Sequence, residues 1–162
     1  MPHDEELESP FGFNVKAHHA GLEALFRAAP VNQIIDSQLT ILSEGEARIE
    51  FPINPLLFHA GGGLHGVVHY KAMSDAAFYA ANSLFTDRLL LTSSFNLTFI
   101  KPAAIGPLTA EGRWVSGRKR ILIADARLMN GEGEIVARGT GTFAPSAVFL
   151  AENKYYQAAF SQ

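Results

Sequence analysis

The residues best suited to chemistry crowd between positions 59 and 75: His59, Gly61-Gly62-Gly63, His65-Gly66, His69 and Ser74-Asp75. They lie where a turn-rich stretch passes into a helical one. Free N–H groups at a helix start carry partial positive charge and can hold a carbonyl oxygen as its charge grows during nucleophilic attack. Glycine at that point lets a substrate approach the backbone closely. Ser74 and Asp75 lie nine and ten residues beyond His65, so a carboxylate there sits two to three turns inside the helix and cannot serve as its cap. An acid inside a packed element needs either work as a base or nucleophile, or partners such as neighbouring hydroxyls or a second subunit. The residue types leave both readings open.

His65 and His69 stand at i, i+4, a spacing that can put two imidazoles on one helix face. A zinc site of that kind wants a glutamate after the first histidine, and Gly66 holds that place. A structural, hydrogen-bonding role is therefore expected for His69, and no metal. The glycine run lacks both the lysine of a phosphate loop and a strand–loop–helix setting. Arg118, Lys119 and Arg120 form the one tight basic cluster. It reads as a solvated hairpin tip or as a landing place for an anionic phosphate tail.

These residues need elements to hold them. Leu22, Leu25 and Phe26 have helical spacing within Lys16–Ala29, and Pro30 ends the pattern. Alternation over Gln38–Ile53 around Ser43-Glu44-Gly45 predicts a hairpin, and Asn54–Leu64 a loop. Gly66 to about Leu84 is apolar on most faces and rich in alanine, which predicts a buried central helix that other elements approach closely. The rest reads as strands over 89–100, 108–115, 120–129 and 134–143, the last two joined by a two-residue Asn130-Gly131 turn. On the first of these, Thr92, Ser94, Asn96 and Thr98 should share one polar face. Hairpin, helix, then meander gives an α+β fold with an antiparallel sheet wrapped around the helix. Residues 147–162 carry aromatics without a clear period and fit a helix, an extra strand or a dimer contact.

The length of 162 residues suits one domain, and 48% hydrophobic residues suffice for a core. The absence of cysteine removes disulfides, thiolate metal sites and a cysteine nucleophile, and fits a cytoplasmic setting. The acidic tail over 1–10 is unlike a signal peptide, and no apolar run reaches the roughly 20 residues of a membrane span. With 13 basic against 16 acidic residues and no basic face, nucleic acid is not the expected partner. A small molecule is.

The segment FHAGGGLHGVVHYKAMSDAAFYAANS, around His59 to Ser83, resembles the active-site stretch of hotdog-fold acyl-CoA thioesterases of the phenylacetyl-CoA thioesterase, or PaaI-like, type. SSFNLTFIKPA (Ser93–Ala103) and GEIVARGTGTF (Gly133–Phe143) resemble strands of the same family. The resemblance implies a hotdog fold over 31–146, flanked by a tail and helix over 1–30 and an extension over 147–162. It further implies a homodimer or dimer of dimers with active sites at the subunit interface, and an acyl-CoA substrate without cofactor or metal. Carried over by position, Gly66 polarises the thioester carbonyl beside His65, and His59 stands where the family often has asparagine. Thr92 supplies a hydroxyl from the other subunit. The family's carboxylate falls on Ser74, with Asp75 adjacent and about 100° further round. Asp75 as the working acid, Ser74 orienting a water, and binding without hydrolysis are three resulting readings. A hotdog hydratase or dehydratase is a further alternative. Val67, Asn82 and the cluster Arg118, Lys119 and Arg120 are the expected substrate contacts.

Overall fold

The computed structural model describes residues 13–104 and 106–162; the acidic tail lies outside them. Helix α1 (Val15–Ala28) starts at Asn14, whose side-chain oxygen accepts from the Ala17 N–H at 2.9 Å, and it buries Leu22 and Phe26. Pro30 opens a 3-10 turn over Pro30–Gln33. Strands β1 (Gln38–Ser43) and β2 (Glu46–Phe51) form the expected hairpin, with Gly45 taking the positive φ of 83° that its turn requires.

The central helix α2 (Gly66–Asn82) buries Val68, Met73 and five alanines. Small side chains bring its backbone onto the sheet. A Cβ built on Gly112 would lie 2.0 Å from the Ala76 carbonyl oxygen, so glycine is the only residue that fits there without displacing the helix. Strands β3 (Arg88–Phe99), β4 (Leu108–Ser116), β5 (Leu122–Met129) and β6 (Ile135–Phe149) complete an antiparallel six-stranded sheet of order β1-β2-β4-β5-β6-β3. The sheet curves around α2, which makes this the expected α+β hotdog architecture.

Three sequence expectations change. The β5–β6 connection is longer than two residues: Asn130 accepts from the N–H groups of Glu132 and Glu134, and Gly133, with φ 78°, makes the left-handed step instead of Gly131. The last strand continues to Phe149, beyond the expected end at 143. A β-bulge between Thr92 and Ser94 also breaks the alternation on β3. Thr92 pairs with Phe143, a fully buried residue that faces α2, while Asn96 pairs with Thr140 on the outer face. The extra residue reverses the side on which later side chains emerge, so Thr92 parts company with Asn96 and Thr98.

The C-terminal segment forms a 3-10 turn and helix α3 (Lys154–Ala158), packed on α1. Tyr156 covers Gly21 so closely that a Cβ there would meet its ring at 2.6 Å. Its hydroxyl lies 2.6 Å from Nδ1 of the buried His18, whose Nε2 lies 3.0 Å from the Asn82 carbonyl. A carbonyl can only accept, so Nε2 carries the ring proton and Nδ1 accepts from the tyrosine. Among the described residues no helix is long and apolar enough to cross a membrane.

Candidate active site

The loop before α2 is built by its glycines and His59. The His59 N–H donates to the Gly63 carbonyl at 2.8 Å, and the Gly62 N–H returns to the His59 carbonyl at 3.0 Å. His59 Nδ1 accepts from the Gly61 N–H at 2.9 Å. Gly62 has φ 85°. This closed turn, pinched by the Phe58–Leu64 bridge, explains the glycine run as shape. His65 then caps α2: its backbone donates to the Leu57 carbonyl and its Nδ1 accepts from the Val67 N–H at 3.0 Å.

Gly66, first residue of the helix, meets no backbone or side-chain acceptor among the described residues. Its N–H is therefore available to an incoming oxygen, reinforced by the helix dipole. The Phe99 ring lies over it, 2.7 Å from where a Cβ would stand. His69 is buried, contacts the His65 carbonyl at 3.3 Å and meets Phe99 edge-on. Burial holds its pKa below the ordinary histidine value. These contacts hold it within the fold. Among the described residues no group of three or more histidine and acidic side chains converges as a metal site.

Ser74 and Asp75 take different directions. Ser74 is 8% exposed and its hydroxyl donates to the Lys71 carbonyl at 3.2 Å. Helical spacing puts it on the same face as Tyr70 and Phe78, which stack on Phe95 of β3 and Phe143 of β6. Asp75 is turned toward α1. Its Oδ2 accepts from Lys71 Nζ at 2.6 Å, and the same ammonium group donates to Asn32 Oδ1 at 2.6 Å. Asn32 is fixed in turn by donating to the Phe26 carbonyl at 2.7 Å. The Asp75 side chain is 28% exposed, and burial raises its pKa above the usual carboxylate range even though Lys71 pulls it down. Asp75 is the only carboxylate on α2.

The other expected site residues are dispersed. Val67 is exposed beside Gly66. Thr92 is exposed on β3 near the opposite end of α2, because β3 runs alongside the helix from Leu90 at Asn82 to Phe99 at Gly66. Asn82 cannot touch substrate. It is fully buried, donates to the Phe85 and Arg88 carbonyls and accepts from the Leu90 N–H, holding the turn from α2 into β3. Arg118 stacks on Trp114 at the exposed tip between β4 and β5, and Trp114 donates to the Gly45 carbonyl, whose own N–H donates to Ser83 at the C-terminal end of α2. That end is about 25 Å from Gly66 for a helix of 17 residues. One chain therefore does not bring Arg118, Lys119 and Arg120 to His65. Sequence reasoning missed the Lys71–Asn32 clamp, because residue 32 is distant in sequence and only the packing of α1 brings it close.

A sequence profile described as "Thioesterase superfamily" matches residues 61–137, from the glycine turn through α2 and into β6. A Saccharolobus solfataricus protein named "Putative esterase" is 30% identical over 119 residues, covering 74% of this chain and 79% of that protein. The chain belongs to the thioesterase superfamily. Solved structures agree on the hotdog fold. A Silicibacter pomeroyi thioesterase family protein superposes with TM-score 0.71 at 22% identity, covering 78% of this chain and 96% of its own. The Escherichia coli PaaI protein from the phenylacetic acid degradation operon gives TM-score 0.73 at 19% identity, covering 83% and 98%. Within the superfamily, hydrolysis of a thioester is the general chemistry, and the available Gly66 N–H suits it.

Proposed function

We propose that the chain is an acyl-CoA thioesterase of the PaaI-like branch, acting without metal or cofactor, in active sites each shared by two copies. The observation that carries the reading is the separation of its parts. Gly66 and Asp75 are nine residues apart on α2, or about 13 Å along the axis. A thioester carbonyl, its attacking water and a base span roughly 7 Å. One chain cannot engage both groups on one substrate. The β3 edge, unpaired among the described residues and with Leu91, Phe99 and Ile100 exposed, offers the surface for a second copy. Antiparallel pairing across it would carry the Asp75 and Thr92 of one protomer toward the Gly66 of its partner.

In this reading the carbonyl oxygen sits on the Gly66 N–H. The Asp75 carboxylate takes a proton from water as the water oxygen attacks the carbonyl carbon. The tetrahedral oxyanion then collapses, the C–S bond breaks, and the sulfur leaves as coenzyme A thiol with the proton Asp75 had taken. A pKa raised by burial suits the carboxylate to that exchange.

The test is thiol release from short, medium, long and aromatic acyl-CoA esters. Wild type should turn over at least one of them, and Asp75→Asn should lose about 10²-fold or more in kcat while keeping its fold. Full activity in Asp75→Asn together with a faster Ser74→Asp variant would move the base to Ser74's face. Stoichiometric retention of acyl-CoA without thiol release would make the protein a binder, the reading favoured by a serine where the family's carboxylate is expected.

A further inference from the structure

The outer face of the sheet, turned away from α2, carries a row of side chains in direct cross-strand register. Arg48 on β2 pairs with Glu111 on β4, Glu111 with Arg127 on β5, Arg127 with Arg138 on β6, and Arg138 with Thr98 on β3. The row crosses an open groove of about 980 Å³. Its charges do not balance. Glu111 accepts from Arg48 at 3.1 Å and from Arg127 at 2.8 Å, and these bonds, those of Arg127 foremost, hold its pKa below the usual range. That carboxylate is shared by two guanidinium groups. Arg138 has no ionic partner among the described residues, although like charges directly opposite each other on a sheet are destabilising. Arg48 Nε is also buried, with no acceptor among the described residues.

The adjacent row uses its charges internally. Arg113 binds Glu46 at 3.2 Å, and Asp125 accepts from the Thr140 hydroxyl at 2.7 Å. Asp125 is the acid nearest to Arg138 along the diagonal, and it opposes an anion there. Three guanidinium groups against one carboxylate still leave the first row with two excess positive charges, beside the neutral donors Thr98 and Asn96.

We infer that the Arg127–Arg138 pair on the outer face of the sheet is a binding site for a phosphate dianion. Two forked cations side by side match a tetrahedral dianion in charge and in donor geometry, and the anion relieves their repulsion. The groove is much larger than a phosphate ion and has polar walls, which suits a phosphate ester of a small polar molecule. The site is separate from Gly66, which lies on the opposite side of the sheet.

Binding of inorganic phosphate and of ribose 5-phosphate, titrated at fixed ionic strength in chloride, tests the site. Both should bind wild type. Arg138→Gln should weaken both at least tenfold, Asp125→Asn should tighten both, and Lys154→Gln, on a distant surface, should change neither. Tighter binding of the ester would identify a phosphate ester as the natural source; equal binding would identify free phosphate. The variants lie on an exposed face, and unchanged circular dichroism would exclude misfolding. Wild type that binds neither probe, or equal binding by Arg138→Gln, would overturn the site. So would assembly of copies through this face that Arg138→Gln dissolves, since the excess charge would then belong to a protein contact.

Discussion

A shared site predicts that two dead variants can rescue each other. Gly66→Pro removes the N–H proposed to hold the oxyanion while keeping a residue that a first helical position accepts. His65, at φ −63° and ψ 137°, already has the extended backbone that precedes proline. Loss of one such donor should lower kcat by about 10²–10³-fold. Gly66→Ala is the control: its methyl meets only the exposed Phe99 ring, and it keeps the N–H. Asp75→Asn removes the base on the other side of the site. When equal amounts of Gly66→Pro and Asp75→Asn are unfolded together and refolded, half of the dimers are mixed. Each mixed dimer holds one site with neither group and one with both intact, so roughly a quarter of wild-type thiol release should return. Each variant refolded alone should stay dead. If Gly66 and Asp75 of one chain served the same substrate, every site in the mixture would lack one group, and no activity would return. Absence of rescue in a mixture shown to exchange subunits would refute the 13 Å argument.

Stability should fall on acidification through His18, which is 1% exposed and has its pKa lowered by burial to about 4 from 6.5. The unfolded chain then binds a proton that the folded chain refuses, so stability is complete above pH 6.5 and is lost between pH 6.5 and 4, by about 3 kcal/mol in total. Urea midpoints across that range should show the loss in wild type and a shallower one in His18→Gln; parallel curves would exclude His18 as its source. Gly112→Ala should cost about 3 kcal/mol or prevent folding, since its methyl would meet the Ala76 carbonyl at 2.0 Å. A loss below about 1 kcal/mol in the same assay would mean that α2 and β4 are not in backbone contact.

Much of this architecture was legible because its signals are local. Apolar residues on most faces of one alanine-rich segment announced a buried helix, and alternation with turn residues announced the strands. The available N–H at Gly66 followed from a glycine at a helix start. The failures concern features set by partners far away in sequence. Alternation on β3 was projected through position 93, and the bulge arises from pairing with β6, which no pattern within residues 89–100 encodes. Asn82 looked like a polar residue free to bind ligand, yet three backbone groups of the following turn occupy its amide. Arg138 went unnoticed because its basic neighbour, Arg127, is eleven residues away in sequence and adjacent only across the sheet.

Under the proposed reading, with Asp75 as the acid, the chain's flanking helix bears on the site. Moving the carboxylate from the face of Ser74 to that of Asp75 takes it off the α2–β3 side and turns it toward α1, where burial alone would favour the neutral form. Lys71, one turn earlier, opposes that by binding Oδ2, and leaves Oδ1 without a partner among the described residues. An ammonium group carries three donors and would be costly to bury with only one of them used. Asn32 takes a second, and the Phe26 ring lies 5.3 Å from the nitrogen. Both belong to the segment from α1 to the following turn, outside the region 61–137 that marks the superfamily. The N-terminal helix and the turn after it thus help to hold Lys71 against Asp75 and so to orient the carboxylate, and under the proposed reading a carboxylate at 75 in place of one at 74 depends on that support.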